Sequence, residues 1–381
     1  MPQTSRRVRE ILFVVGEASG DLHAGKVAEV LRATAPSLAM AGVGGGHMRG
    51  AGVEILEDVE NLAVMGFAEV VRHIPKHYAL LGRLRARIES GRVALVVLLD
   101  YPGFNLKVAE VAKKAGVPVL YYITPQVWAW GAGRLPKLAR VVTKAASILP
   151  FEEGLLRRHG VDATFVGHPL LDRAQSLPAQ AEARASLGLP SDGPILAVFP
   201  GSRRAELARH LQPFMQTAAL LQARIPRLQV VVSVAPTVRI SDADCPFPLV
   251  HGASFNVLRA ATAGLLKSGT TTLEAAVAGL PHVIGYRTSA ITYAIARRVV
   301  KIPHIGLVNV VAHREVSPEF VQDAFNPAHV AEALMPLLDV QSAVRARAEE
   351  GLREVRGMLG TPGASERVAA MIRDLVAARP A

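Results

Sequence analysis

Seven apolar residues in a row, Val93–Leu99, stop at a carboxylate, Asp100, and a turn made of Tyr101, Pro102 and Gly103. A strand-length run without polar alternation suits a strand covered on both faces, and such strands belong to parallel sheets with helices on either side. Beyond the turn the apolar spacing becomes helical, over 106–115. The succession of apolar run, turn and helix recurs: 10–15 before GEASGDLHAG, 38–43 before GVGGGHMRG, 117–123 before TPQVWAWG, 195–199 before PGSRRAEL and 264–266 before KSGTTTLE. Repeated units of this kind predict a doubly wound α/β fold with its functional loops at the carboxyl ends of strands. Asp100 stands at such an end, where an acid either caps the next turn or meets a substrate. The other loops bear on that choice.

A chain of 381 residues exceeds one ordinary core, so two domains are expected. The boundary belongs in the Ala- and Pro-rich stretch 173–192, giving a first domain over 1–172, a second over 193–335 and terminal helices over 336–381. Half the residues are hydrophobic and a fifth charged, which excludes disorder. The net charge of +11 favours anionic partners, but aromatic residues are only 5% and no nucleic-acid-binding module is present, which argues against nucleic acid. One cysteine, Cys245, excludes an internal disulfide framework and fits a reducing compartment. The apolar run behind Arg6 and Arg7 ends at Gly16 and Glu17, so it reads as a strand, not an export signal. No segment approaches the ~20 apolar residues that span a bilayer, so any membrane contact is expected to be peripheral.

The loops differ in chemistry. Gly16, Gly20 and Gly25 lack the dinucleotide spacing and no phosphate lysine follows them, while Glu17 and Asp21 suit a sugar or acceptor hydroxyl better than a phosphate. Gly44, Gly45 and Gly46 permit positive φ and close approach, or simply a tight connection. Between 62 and 88 an apolar helical stripe, with a break expected at Pro75, carries Arg72, Lys76, Arg83, Arg85 and Arg87. Such a stripe suits either an acyl chain at an anionic surface or an ordinary helix packed on the sheet. Trp128 and Trp130 share one loop, facing a ligand or packing in the core. In the second half, Gly201, Ser202 and Arg203 open a helix with amides, a hydroxyl and a guanidinium, a set that suits a diphosphate. Ser268, Gly269, Thr270 and Thr271 open another helix, in which Glu274 either accepts from a ribose diol or forms a capping box with Thr271.

GEASGD, the Gly44 loop, LLDYPGFN, TPQVWAWG, LPFE, VGHPL, PGSRRAE, SGTTTLE and the Asn309 segment, in this order, resemble the lipid-A-disaccharide synthases, family 19 of the glycosyltransferases, from about residue 10 to about residue 330. The resemblance implies a GT-B architecture: two Rossmann-like domains, an interdomain cleft, and C-terminal helices returning to the first domain. It implies an inverting transfer from UDP-2,3-diacylglucosamine to 2,3-diacylglucosamine 1-phosphate, giving the β-1,6-linked disaccharide 1-phosphate and UDP. It makes Asp100 the general base and ties Arg203, Glu274 and Asn309 to the UDP site or to activity. Around these, Gly201, Ser202, Ser268, Gly269, Thr270 and Thr271 are expected at UDP, and Glu17, Ser19, Asp21, Trp128, Phe67, Val70 and Arg72 at the acceptor or acyl sugar. No cofactor and no obligate metal are expected, because amides and arginine can stabilise the leaving diphosphate. The family further implies peripheral attachment to the cytoplasmic face of the inner membrane and a homodimer formed by exchange of C-terminal segments. Lys267 and His313 depart from the family pattern, where a small residue and a glycine are common. Competing readings are a UDP-sugar 2-epimerase, a UDP-GlcNAc transferase with another lipid acceptor, or a non-catalytic basic protein of membrane surfaces or nucleic acid.

Overall fold

The computed structural model describes residues 10–62, 67–299 and 302–378, and the side chains of these except 67–74, 295 and 299. Two units divide the chain, 1–169 with 361–381 and 170–360. Each is built on its own parallel sheet.

The first sheet has seven strands: β1 (Glu10–Val14), β2 (Ala39–Gly44), β3 (Glu54–Asp58), β4 (Val93–Leu99), β5 (Val119–Tyr122), β6 (Lys144–Ser147) and β7 (Ala163–Phe165). Their order is β3-β2-β1-β4-β5-β6-β7, so the chain runs outward from β1 in one direction and, from β4, in the other. All seven residues of β4 are buried, as its unbroken apolar run predicts. The C-terminal ends of β1 and β4 therefore flank the point where the winding reverses, the usual ligand crevice of such sheets.

The second sheet repeats the plan with β8 (Ile195–Phe199), β9 (Gln229–Val234), β10 (Leu249–His251), β11 (Ala263–Lys267), β12 (His282–Tyr286) and β13 (Glu319–Val321), ordered β10-β9-β8-β11-β12-β13. Here the reversal lies between β8 and β11. The PGSRRAEL and KSGTTTLE loops leave from the ends of those two strands.

Three details depart from the sequence reading. The helix Phe67–Glu89 runs through Pro75 without a break. Leu80, Leu84 and Ile88 bury themselves in the first core, Arg83 pairs with Glu57, and Arg87 holds Glu10 at 2.7 Å and Glu54 at 2.6 Å. This half of the stripe packs on the sheet, with two of its bases already neutralised. The stretch 173–192, with the short helix Gln180–Ser186 and the end of Leu170–Ala174, lies inside the second unit, whose first residue is Leu170. Of the terminal helices, Ala343–Met358 stays in the second unit, and only from Thr361 does the chain join the first. There Val368, Ala369, Ile372 and Val376 of the helix Ala364–Ala377 enter the first core, and Arg367 Nε donates to the Val166 carbonyl at 2.8 Å.

Candidate active site

At the rim of the first sheet, Asp100 follows β4 with φ +43 and Tyr101 follows it with φ +46. Consecutive left-handed residues bearing side chains are uncommon, because Cβ crowds the next carbonyl. Tyr101 then serves as N-cap of the helix Pro102–Lys114, with Pro102 at its first position, where proline's missing N–H costs nothing. The Tyr101 ring lies on the main chain of Gly16, so that a Cβ at Gly16 would overlap it. Gly16 thus makes room for a neighbouring side chain. Its glycine identity serves packing within the rim.

The loop after β1 holds the expected acceptor residues unevenly. Glu17 and Ser19 are exposed at the start of the helix Ala18–Thr34, Ser19 donating to Glu17 at 2.5 Å. Asp21 is different: it is buried, and its carboxylate accepts from the N–H groups of Gly45 (2.6 Å), His47 (2.9 Å) and Met48 (3.1 Å). Those amides open the short helix Gly46–Gly50, so Asp21 caps that helix and three of its four lone pairs are committed. In the Gly44 loop none of the three glycines has positive φ; Cβ atoms at Gly44 and Gly45 would press on Met48 and Asp21, so close approach accounts for those two, while Gly46 has open space around it. Phe67, Val70 and Arg72 lie outside the described side chains.

Trp128 is half-buried, edge-on to Phe151, and its indole N–H donates to Glu152 at 3.1 Å. The other oxygen of Glu152 accepts the Leu149 N–H at 3.1 Å. Burial pushes the Glu152 carboxyl up to about 7 against the pull of these donors. Trp130 is exposed beneath the Arg134 guanidinium.

In the second unit Gly201 has φ +132, and the helix Arg204–Arg224 starts two residues beyond Ser202. Glu206, one turn into this helix, turns back to the rim. Its carboxylate accepts from Ser202 N–H and from Lys267 Nζ, both at 3.0 Å, with the exposed Arg203 at 3.8 Å. Lys267 holds the Glu206 carboxyl below its usual range although burial opposes this. An amide, an ammonium and a guanidinium thus converge on one carboxylate, and this donor set matches what a diphosphate requires. Sequence reasoning placed Ser202 and Arg203 here. It missed Glu206, whose signal was its position in PGSRRAE.

From β11 the chain passes Ser268, which donates to the Ile305 carbonyl at 2.7 Å, and Gly269, at φ +151. Thr270 is exposed and Thr271 begins the helix Thr271–Ala278, but no capping box forms. Glu274 faces Arg173 at 3.7 Å, and burial raises its pKa. Its acceptor capacity is therefore largely unspent. Asn309 has none to spare: it is buried, donating to Ser317 O and Glu319 and accepting from the N–H groups of Val316 and Ser317. It organises the 313–319 turn, where His313 takes the left-handed place usual for glycine at φ +53.

A family model described as lipid-A-disaccharide synthetase matches residues 11–367. A curated lipid-A-disaccharide synthase of Syntrophus aciditrophicus is 40% identical over 374 residues, covering 96% of this chain and 97% of that protein. Among solved structures, a UDP-GlcNAc 2-epimerase from Neisseria meningitidis, bound to UDP-GlcNAc, superposes with a TM-score of 0.65 at 12% identity, covering 96% of this chain and all of that one. The glycotransferase of kitacinnamycin superposes at 0.63 with 17% identity, covering 97% and 99%. These two likenesses show the fold, a GT-B-like pair of parallel-sheet α/β units.

Proposed function

The chain belongs to the lipid-A-disaccharide synthase family, and from that premise we propose that it transfers the 2,3-diacylglucosaminyl group of UDP-2,3-diacylglucosamine to 2,3-diacylglucosamine 1-phosphate. The observation that carries this is the family match across nearly the whole chain.

In the transfer, the 6-hydroxyl of the acceptor attacks the anomeric carbon as the bond to the diphosphate breaks with inversion. The hydroxyl proton passes to Asp100, and UDP departs with the electron pair. An oxocarbenium-like transition state gains from a base at the incoming oxygen and from fixed donors at the leaving group. Arg203, the hydrogens of Lys267 that Glu206 does not take and the open start of the helix Thr271–Ala278 supply such donors, the Ser202 amide joins them where the diphosphate displaces Glu206, and Glu274 suits the ribose diol. Asn309 acts on this site through the backbone it organises. Glu17, Ser19 and Trp128, with Phe67, Val70 and Arg72, are candidates for the acyl sugars, and Asp21 shapes the loop beside them.

The same reading extends to a peripheral site on the cytoplasmic face of the inner membrane, supported by the +11 charge, and to a homodimer that exchanges C-terminal segments. Flotation with anionic vesicles and sedimentation of the full chain test these two points.

The deciding experiment is a detergent-micelle assay with both lipid substrates, with and without EDTA, and with mass spectrometry of the products. A tetraacyl disaccharide 1-phosphate formed in EDTA is expected. UDP release without disaccharide would overturn the acceptor assignment, and activity lost in EDTA and restored by magnesium would overturn the metal-free scheme.

A further inference from the structure

Left-handed backbone at a residue with a side chain persists only where its surroundings over-determine it. Around Asp100 they do. Its N–H donates to the Ile123 carbonyl at 3.2 Å, and its carbonyl accepts from Tyr121 Oη at 2.5 Å and Asn105 Nδ2 at 2.8 Å. Asn105 Nδ2 also faces the carbonyls of Leu99 at 3.0 Å and Val14 at 3.3 Å. Both peptide planes flanking the Asp100 Cα are thereby pinned. Because peptides are planar, fixing the two planes sets φ and ψ and hence the direction of the Cα–Cβ bond.

The two side chains reach this point by different routes. Tyr121 lies on β5 opposite Leu98, fully buried, and its ring spans the two residues from there to Asp100. Burial and the nearby Asp100 charge raise its pKa well above the usual value, so the hydroxyl stays a donor at any working pH. Asn105 sits in the first turn of the helix Pro102–Lys114, also fully buried. Three carbonyls surround one end of its amide, so only the NH2 end fits there. The other end, Oδ1, is buried without a hydrogen-bond partner among the described residues. An orphaned acceptor destabilises a fold, which points to a requirement at the opposite end of the same amide.

We propose that Tyr121 and Asn105 are positioning residues of the transfer reaction, holding Asp100 in its left-handed backbone so that its carboxylate is presented to the acceptor hydroxyl. This rests on the reading of Asp100 as the base. A fold needing only the turn would be served by glycine; a side chain in this conformation is needed when the side chain itself is used.

Tyr121→Phe removes one hydroxyl and leaves the Asn105 bond to the same carbonyl. Steady-state kinetics with both lipid substrates would compare Tyr121→Phe, Asp100→Asn and the double variant, with thermal melts alongside. We expect Tyr121→Phe to lower kcat about tenfold with KM nearly unchanged, and to cause no further loss in the Asp100→Asn background. Asn105→Ser should follow the same non-additive pattern, and if it fails to fold Tyr121→Phe decides alone. Wild-type kcat in Tyr121→Phe, or the same fold-loss with and without the Asp100 carboxylate, would overturn the inference. Turnover retained by Asp100→Asn would instead overturn the base assignment, so the two failures are distinguishable.

Discussion

After β4 the chain turns through Asp100 and Tyr101, two left-handed residues that keep their side chains; after β8 and β11 it turns through Gly201 and Gly269, which have none. The first rim holds its backbone with buried donors, Tyr121 and Asn105, and leaves a carboxylate at the strand end. The second lets the backbone itself come forward, so that the Ser202 N–H, with Lys267 and Arg203 beside it, converges on Glu206. On the proposed reading, with Asp100 as the base and the second rim as the diphosphate site, the contrast follows from what each rim must do. A base must be a side chain, so strain at a residue with Cβ is tolerated there. An anion cradle is built from amides, so glycine serves it and a Cβ would fill it.

Substitutions at the two rims should break this contrast in opposite directions. The largest effect is expected from Asp100→Asn, which keeps shape and backbone and removes only the proton acceptor: turnover should fall about 100-fold or more. Wild-type kcat in the disaccharide assay would remove Asp100 from the chemistry. Next is Gly201→Ala, because a Cβ at φ +132 would also meet Glu206 at 2.8 Å. It should cost about 2 kcal/mol of stability in chemical denaturation and weaken UDP binding. An unchanged denaturation midpoint would show that the cradle has slack.

Arg203→Ala should weaken UDP by about tenfold in calorimetry while leaving the fold intact, since its side chain is exposed and only loosely paired. Unchanged affinity would reduce Arg203 to a surface charge. At the first rim, Asp100→Gly should do what no second-rim change does, raising stability by about 1 kcal/mol as the left-handed strain is relieved while losing no less turnover than Asp100→Asn through the same missing carboxylate. A lower melting temperature would mean that the Asp100 side chain stabilises the turn it strains.

The smallest effect is spectroscopic. Glu152 has a carboxyl raised to about 7, above its unfolded value near 4.5, so the folded protein holds more protons between those pH values. Its contribution to stability is fully present below about 4.5 and is lost as pH rises through about 7. Tryptophan emission should titrate with a midpoint near 7 through the Trp128 contact, and Glu152→Gln should abolish that titration. Persistence of the titration in the variant would assign it elsewhere.

The strands were legible because β4 and its counterparts are unbroken apolar runs, and a parallel sheet buried on both faces leaves a signal that needs no partner to be read. Arg203 and Asp100 were legible as charges at strand ends. The capping bonds of Asp21 were not legible, because a carboxylate beside a glycine-rich loop looks the same in sequence whether it caps amides or meets a sugar. Only the approach of Gly45, His47 and Met48, more than twenty residues away, decides that. The contacts of Asn309 were not legible for the same reason, its partners being backbone groups of a turn and the Glu319 carboxylate, which sequence spacing does not bring to it.

Local chemistry in the sequence determined the two parallel sheets, their helices and the loops that carry function, since burial periodicity and turn residues act over a few positions. Tertiary structure alone decided which polar groups are consumed and which are left for a ligand. Hydrogen bonds are satisfied by whatever the fold brings within about 3 Å, and for Tyr121 and Asp100, or Lys267 and Glu206, that neighbour lies on another element.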